Sequence, residues 1–219
     1  MSRLVLHHCH QARSMRSLWL LHELGLDFDL RVHDFFALRT PDYLVLHALG
    51  RVPLLEDGDL RLHESGAICE YLCETRDTHH LWRAPGTPER AEWLQWLHYA
   101  ETIGQHIAIL TQQHIVIRDD EDRSGLVMWL EARRLEKTLQ LLEAALEGRE
   151  WLLASGFTAV DTGIGYSVYA ARHFVDIGPY PNLAAYWDRV QARAAFRRSL
   201  PPAEAPPIYA RPFYAAPER

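Results

Sequence analysis

The sequence predicts an α/β domain with a mixed four-stranded sheet, followed by a domain built only from helices. In the first 76 residues, short strand-like runs alternate with helical patterns in the order β-α-β-α-β-β-α. Beyond residue 88, apolar residues recur every three or four positions, which indicates helices. The segment between them, 76–88, is polar and carries two prolines and a glycine, so it is predicted to be a linker. We therefore expect domains at 1–79 and 88–219.

The first βαβ part of this pattern lies within residues 3–33. Residues 3–8 (RLVLHH) form a β-rich run, and 27–33 (DFDLRVH) alternate apolar and polar positions, as a strand does. Between them, 14–24 (SMRSLWLLHEL) has a helical pattern that ends at Gly25, a residue suited to the position after a helix. A β-α-β unit implies parallel strands joined by a right-handed crossover.

The second part adds a hairpin and a helix. Residues 41–49 predict a short helix or turn, and the Asp57-Gly58 pair is a strong hairpin signal. The hairpin strands and the helix that follows are predicted at 52–55, 60–62 and 64–74.

The helical domain is predicted to contain four helices and an irregular tail. The helices are expected at 89–116, 126–146, 158–174 and 183–199. The tail, 201–219, holds six prolines and cannot be helical. Its aromatic residues, Tyr209, Phe213 and Tyr214, predict that it packs on the body of the protein. Thr158 and Asp161 match a capping box, which we interpret as structural.

Composition excludes several classes of protein. The chain has 219 residues, enough to bury a core, and a net charge of −6, which argues against nucleic acid as a partner. No run of about 18 apolar residues predicts a membrane span, and the first residues do not resemble a signal peptide. Three cysteines do not make a disulfide framework. We expect a reduced, cytoplasmic protein that does not associate with membranes.

The Val52-Pro53 pair is the first candidate site. Proline at the start of a strand cannot donate to the ladder, so it is compatible with a plain edge strand. A cis bond at Pro53 would instead turn the Val52 N–H and C=O outward, toward a peptide-like ligand that pairs as an added strand. Both readings stay open on this dipeptide alone.

The Glu64-Ser65 pair is the second candidate site. Ser65 falls at a predicted helix start, where N–H groups and the helix dipole favour an anion such as a ligand carboxylate. Glu64 could accept a hydrogen bond from an ammonium group. The alternative is that one of these residues caps the helix and binds nothing.

The run His7-His8-Cys9-His10 suggests a metal site only superficially. On a strand, His8 and His10 share a face while Cys9 points away, and no Asp or Glu lies nearby in sequence to complete the shell. We predict no metal and expect these histidines at a strand end near a pocket mouth.

Four motifs, taken in order, resemble the cytosolic glutathione transferase family. They are SMRSLWLLHELGL, LGRVPLLEDGDLRLHES, FTAVD and YPNLAAYWDRVQARAAF, and they span nearly the full chain. The first is similar to the SR-x-x-R-x-L-W-L-L signature of a bacterial and fungal subgroup. The resemblance implies a thioredoxin-like first domain, an all-helical second domain and a homodimer.

The resemblance also implies a binding site for glutathione as co-substrate, with no other cofactor. The cysteinyl backbone would pair with Val52, next to a cis Pro53, and the γ-glutamyl end would meet Glu64 and Ser65. Arg51 stands where the subgroup usually has lysine, so its charge would approach the glycyl carboxylate. The bound thiolate would attack a small hydrophobic electrophile.

The thiol-activating residue departs from the family pattern. Family members carry a Tyr, Ser or Cys donor near the start of the first helix, but the subgroup's Ser-Arg pair is Ala12-Arg13 here. The remaining candidates are Ser14 first and His8 second, followed by His10, Gln11 and Arg13.

The second-substrate pocket is expected under the long helix that starts at residue 89. Its candidate linings are Tyr99, Ala100 and His106, with tail aromatics closing it, although these residues also suit a core. Two alternatives to conjugation remain: a thiol–disulfide reductase using Cys9, and a glutathione-binding protein without turnover. The missing hydroxyl at Ala12 favours the latter.

Overall fold

The computed structural model describes residues 3–35 and 37–218. It divides into two compact units. The first, here the sheet unit, contains the chain up to residue 86 together with 192–208, and the second, the helical unit, contains 87–191 and the chain from 209 onward. The expected second domain, 88–219, therefore differs by the segment 192–208, which packs in the sheet unit.

The sheet unit is built on four strands in the order β2-β1-β3-β4. Their bounds are Leu4–His8 (β1), Phe28–Val32 (β2), Leu54–Asp57 (β3) and Leu60–His63 (β4). β1 runs parallel to β2 and antiparallel to β3, and β3 pairs antiparallel with β4. This confirms the predicted mixed sheet.

Eight α-helices are present in the described part of the chain. Their bounds are Ser14–Glu23 (α1), Pro41–Leu44 (α2), Ser65–Arg76 (α3), Arg90–Thr111 (α4), Gly125–Ala145 (α5), Ala159–Ala171 (α6), Pro181–Ala192 (α7) and Ala194–Ser199 (α8). Gly25 follows α1 with φ +62°, the left-handed conformation that glycine tolerates best.

Two helices of the helical region differ from the sequence prediction. α4 stops at Thr111, and the predicted last turn, Gln112–Val116, is π-helical. The single helix expected over 183–199 is wrong, because Arg193 adopts an extended backbone (φ −71°, ψ 127°) that separates α7 from α8.

The segment after this break belongs to the sheet unit because α8 packs on α1. The Phe196 ring meets the Trp19 ring edge-on, with centroids 4.9 Å apart. Arg193 donates two hydrogen bonds to the Glu23 carboxylate, each at 2.7 Å. Trp19 Nε1 donates to the same carboxylate at 2.7 Å. Glu23, at the end of α1, therefore holds Arg193 at the break between α7 and α8.

The proline-rich tail is divided: its first part, to residue 208, belongs to the sheet unit, and the part from Tyr209 onward packs in the helical unit, as its aromatic residues predict. Tyr209 and Tyr214 are buried, whereas Phe213 is 44% exposed. The Tyr214 N–H donates to the His173 carbonyl at 2.7 Å, and the His173 and Tyr209 rings stack 4.2 Å apart. In the residues described, no helix combines the length and apolar character needed to cross a bilayer.

Candidate functional site

Three loops meet at one end of the sheet. His7 pairs with Leu54, which also pairs with His63, so the end of β1, the start of β3 and the end of β4 lie side by side. The chain leaving β1 leads into α1, the chain entering β3 carries Val52-Pro53, and the chain leaving β4 starts α3. The topology therefore brings together the segments in which sequence analysis placed the candidate residues.

The Val52-Pro53 bond is cis, and Pro53 is buried. The pairing of β3 begins at Leu54, so the Val52 backbone precedes the ladder. Of the two readings that the dipeptide allowed, the cis one is confirmed.

Glu64 and Ser65 form the start of α3. Glu64 is exposed and has φ +73°, a conformation that costs a non-glycine residue about 1–3 kcal/mol and often marks a functional position. No described side chain caps α3, so the backbone N–H groups of its first turn and its positive dipole end suit an anion.

Arg16 is a site residue that the sequence analysis missed. It lies on α1, is buried, and donates from Nη1 to the Ser65 hydroxyl at 3.1 Å. A guanidinium is always charged and donates without accepting, so it adds a positive field below the α3 terminus and orients the Ser65 oxygen. The sequence did contain a signal for it, because Arg16 lies four residues before Leu20 and so places a charged side chain on the apolar face of the predicted helix.

Tyr43 of α2 holds the backbone at Arg51 and supports Val52. The Tyr43 hydroxyl donates to the Arg51 carbonyl at 2.8 Å, while the Arg51 side chain is exposed. Tyr43 forms a buried cluster with Cys9 and Leu38, and both Ala12 and Val52 pack against it. Ala12, the position without the subgroup hydroxyl, therefore lies on the same cluster as the Val52 edge.

Ser14 and His8 occupy a different environment from the one predicted. Both are fully buried, and the Ser14 Oγ lies 2.8 Å from His8 Nδ1. The same hydroxyl accepts the Cys9 N–H at 3.1 Å, which closes the turn between β1 and α1. Burial, with the positive fields of His10 and His33, lowers the pKa of His8 to about 3, so its ring is neutral at pH 7. Neither side chain is exposed, and the role of Ser14 and His8 toward a ligand sulfur stays a prediction.

Cys9 is also a poor nucleophile in this fold. It is buried, and burial, together with the negative field of Asp34, raises the pKa of its thiol to about 12. Disulfide exchange requires a thiolate, which this environment disfavours at Cys9, and the reductase alternative stays a prediction.

The other three candidates in this loop differ in exposure. Gln11 is buried, and its Oε1 accepts the Ile208 N–H at 2.7 Å. His10 is partly exposed and lies edge-on to His8, with ring centroids 5.2 Å apart, and burial lowers its pKa. Arg13 is partly exposed and immediately precedes α1. No cluster of three or more His, Cys, Asp or Glu in the described residues could hold a metal.

The residues expected to line the second-substrate pocket make polar contacts inside the helical unit. The Tyr99 hydroxyl donates to the Thr138 carbonyl at 3.1 Å, and His106 Nδ1 lies 2.6 Å from Glu131 Oε2. These partners tie both side chains to α5. Their role toward a substrate stays a prediction.

Thr158 and Asp161 start α6 in a capping box. The Asp161 carboxylate accepts the Thr158 N–H at 2.8 Å, and the Tyr186 hydroxyl donates to it at 3.2 Å. Asp161 is fully buried, which agrees with a structural role for the pair.

Comparison with known proteins finds relatives among the glutathione S-transferases. Residues 1–74 match the family model described as glutathione S-transferase, N-terminal domain. Glutathione S-transferase 3 of Schizosaccharomyces pombe is 26% identical over 89% of this chain and 85% of its own. Glutathione S-transferase F13 of Arabidopsis thaliana is 29% identical over 85% of this chain and 89% of its own.

A solved structure agrees with these relatives over the whole chain. The theta class glutathione S-transferase of Xanthomonas axonopodis pv. citri, solved with glutathione bound, has a TM-score of 0.79 and 25% identity. The match covers 94% of this chain and 100% of that one. The chain is therefore similar to glutathione S-transferases in its first 74 residues, in overall sequence and in fold, with a thioredoxin-like sheet unit and a helical unit.

Proposed function

We propose that this protein is a glutathione transferase that conjugates the glutathione thiolate to small hydrophobic electrophiles. The observation that carries the proposal is the juxtaposition at one sheet end of a free backbone edge at Val52 and an uncapped helix start at Ser65. A short peptide with a carboxylate at one end fits both features at once.

Each part of glutathione has a counterpart in this arrangement. The cysteinyl backbone pairs with Val52, and the γ-glutamyl carboxylate meets the Ser65 hydroxyl and the N–H groups of α3. The Glu64 carboxylate accepts a hydrogen bond from the ammonium group of the γ-glutamyl residue. Arg51, whose side chain is exposed beside Val52, reaches the glycyl carboxylate.

The thiol must also be ionised at neutral pH. A free thiol has a pKa of about 8.5, and lowering it by about two units requires roughly 2.7 kcal/mol of preferential stabilisation of the anion. No described side chain caps α1, although the Met15 and Arg16 N–H groups donate to the Ala12 and Arg13 carbonyls, so the dipole of the helix is what favours an anion beside Ala12. Among side chains of this loop, His10 and Arg13 are the partly exposed donors, and we assign the supporting hydrogen bond to one of them.

The test is conjugation of an aryl halide with glutathione at pH 7.5, compared between wild type and Ser65→Ala. The variant should raise the glutathione KM about tenfold, since a hydrogen bond to a charged group contributes about 1.5–3 kcal/mol. Ser155→Ala, a change of an exposed serine in the helical unit, is the matched control. Equal KM values for wild type and Ser65→Ala would contradict the assignment of this site.

A second candidate is a glutathione-binding protein without turnover. It is favoured by one observation, the absence of a side-chain hydroxyl at Ala12 next to the Val52 edge. Calorimetry that detects glutathione binding, combined with no conjugation of several aryl and alkyl halides, would support it. Reduction of a mixed disulfide that disappears in Cys9→Ser would instead support the reductase alternative.

The homodimer is proposed on family resemblance alone. Light scattering coupled to size-exclusion chromatography should give twice the 25.3 kDa of the chain. A mass equal to a single chain at micromolar concentration would refute it.

A further inference from the structure

A chain of polar contacts in the sheet unit ends at the proposed glutathione edge and has no part in the binding described above. His7, on β1, is buried, and its Nε2 lies 2.9 Å from Glu56 Oε1 on β3. Its Nδ1 lies 3.0 Å from His33 Nε2, and the two rings stack nearly parallel, with centroids 5.1 Å apart. Both nitrogens of a buried imidazole are therefore engaged.

The protonation states of this pair follow from the donors and acceptors. A carboxylate only accepts, so His7 Nε2 carries a hydrogen. The contact between His7 Nδ1 and His33 Nε2 needs a hydrogen on one of the two atoms and a lone pair on the other. It persists when both rings are neutral and when one is charged. With both rings charged, two N–H groups face each other across 3.0 Å and the contact is lost.

The pair connects to the glutathione edge through Tyr43. The His33 ring meets the Tyr43 ring edge-on, with centroids 4.7 Å apart. The Tyr43 hydroxyl in turn donates to the carbonyl of Arg51, the residue before Val52. The position of His33 is thus transmitted by packing and one hydrogen bond to the backbone that we assign to glutathione.

The charged groups around the pair are Glu56, Arg61 and Asp34. The second oxygen of Glu56 accepts from Arg61 Nε at 3.2 Å, so its negative charge is already shared. Tyr43 and Cys9 face the pair as neutral groups, because burial raises the pKa of each, and His8 is neutral as described. The Asp34 carboxylate, next to His33 in the chain, accepts a hydrogen bond from the Ala37 N–H at 3.2 Å. Burial, reinforced by the charge on His7, lowers the pKa of His33.

We propose that His33 and Tyr43 are positioning residues for the Arg51–Val52 edge, and that a second proton on the His7–His33 pair loosens this edge and weakens glutathione binding. The proposal rests on the proposed function, since it concerns the same site. Glutathione binding should therefore weaken at pH values below the ordinary histidine pKa of about 6.5.

The test is the glutathione Kd, measured by calorimetry from pH 7.5 to pH 5. Wild type should bind about tenfold more weakly at pH 5 than at pH 7, the change produced by linkage to one proton. In His33→Gln, an amide N–H can still reach His7 without titrating, so the Kd should change less than twofold. His79→Gln, an exposed histidine after α3, is the matched control and should follow wild type.

Two outcomes overturn the proposal. A wild-type Kd independent of pH would do so, as would an acid-weakened Kd that persists in His33→Gln, which would assign the effect to another group such as His47. The proposed function fails in a different way, namely through absence of glutathione binding at pH 7.5.

Two further measurements do not depend on the folding of His33→Gln. Ring-nitrogen NMR of the wild type should show that His33 takes up a proton over the pH range in which the Kd changes, and protonation of His33 outside that range would contradict the proposal. In Tyr43→Phe, which keeps the ring but removes the bond to Arg51, the glutathione KM should rise severalfold with kcat unchanged. A lowered kcat at unchanged KM would contradict a positioning role.

Discussion

Ala12 is the residue at which this chain departs most clearly from the family pattern. It packs against the cluster of Cys9, Leu38 and Tyr43 that also supports Val52. A hydroxyl at this position would therefore lie on the cluster that supports the Val52 edge, whereas the Ser14 hydroxyl is buried in the turn between β1 and α1.

We predict that Ala12→Ser increases the conjugation rate. One additional donor aimed at a thiolate contributes about 1.5–3 kcal/mol, which corresponds to roughly tenfold or more in kcat/KM. The pKa of bound glutathione, measured by thiolate absorbance near 240 nm, should fall in parallel. Ala48→Ser, at an exposed alanine, is the control. An unchanged rate and thiol pKa would mean that position 12 does not face the sulfur.

We expect the buried His8 to make the stability of the fold depend on pH. Its pKa is lowered to about 3 by burial, while in the unfolded chain it takes up a proton near pH 6.5. As pH falls below 6.5 the unfolded state binds a proton that the native state cannot, so stability decreases until about pH 3.

We predict that His8→Asn makes the free energy of unfolding less dependent on pH. From pH 7 to pH 5, wild type should lose about 2 kcal/mol more than the variant, which cannot titrate there. Denaturant unfolding at the two pH values measures this difference. His98→Asn, at an exposed histidine, should behave as wild type. Parallel losses in wild type and His8→Asn would show that His8 is charged in the native protein.

The sequence predicted the backbone features of the site better than its buried side chains. Pro53 and Ser65 mark local constraints, a strand start and a helix start, which neighbouring residues reveal. The burial of Ser14 could not be predicted from the sequence, because it depends on how α1 packs beneath β1. Arg16 was missed for a similar reason, since its partner Ser65 is 49 residues away.

Among elements, α8 shows how a distant partner overrides a local pattern. Apolar residues continue at helical spacing from 183 to 199, so the sequence predicted one helix. The helix breaks at Arg193, where the guanidinium holds the Glu23 carboxylate, 170 residues away in sequence, with two hydrogen bonds. The spacing of apolar residues reports only on neighbours within a few helical turns, so it could not predict a contact between residues this far apart in sequence.

We predict that Arg193→Lys lowers the free energy of unfolding by about 1–2 kcal/mol. Lysine keeps the charge but cannot form the two-pronged contact, which is partly buried here. Arg133→Lys provides the matched control, because its ion pair with Glu136 is exposed and should contribute less than about 0.5 kcal/mol. Equal stability of the two variants in denaturant titrations would mean that packing of Phe196 on Trp19 alone holds α8.

At the scale of the whole molecule, the proposed glutathione contacts all come from the sheet unit. The β1–α1 loop, the start of β3 and the start of α3 belong to it, and they are separated by up to about 50 residues in sequence. A ligand that bridges them stabilises the native state by mass action, because the unfolded chain cannot hold the three segments together.

We therefore predict that glutathione at 100 times its Kd stabilises the protein by about 2.7 kcal/mol. Backbone pairing and the two carboxylate sites carry part of this binding, so γ-Glu-Ala-Gly, which lacks the thiol, should still protect. It should do so by about 1.4 kcal/mol less at pH 7.5, because it forgoes the stabilisation of a thiolate whose pKa is lowered by about two units. The dipeptide Cys-Gly, which lacks the γ-glutamyl group, should protect far less, because it cannot reach Ser65 and Glu64. Thermal unfolding with each peptide at pH 7.5 measures these differences, and hydrogen exchange should slow around β3, β4 and the first turn of α3. Equal protection by Cys-Gly and glutathione would place the binding energy at the thiol and remove the α3 terminus from the site.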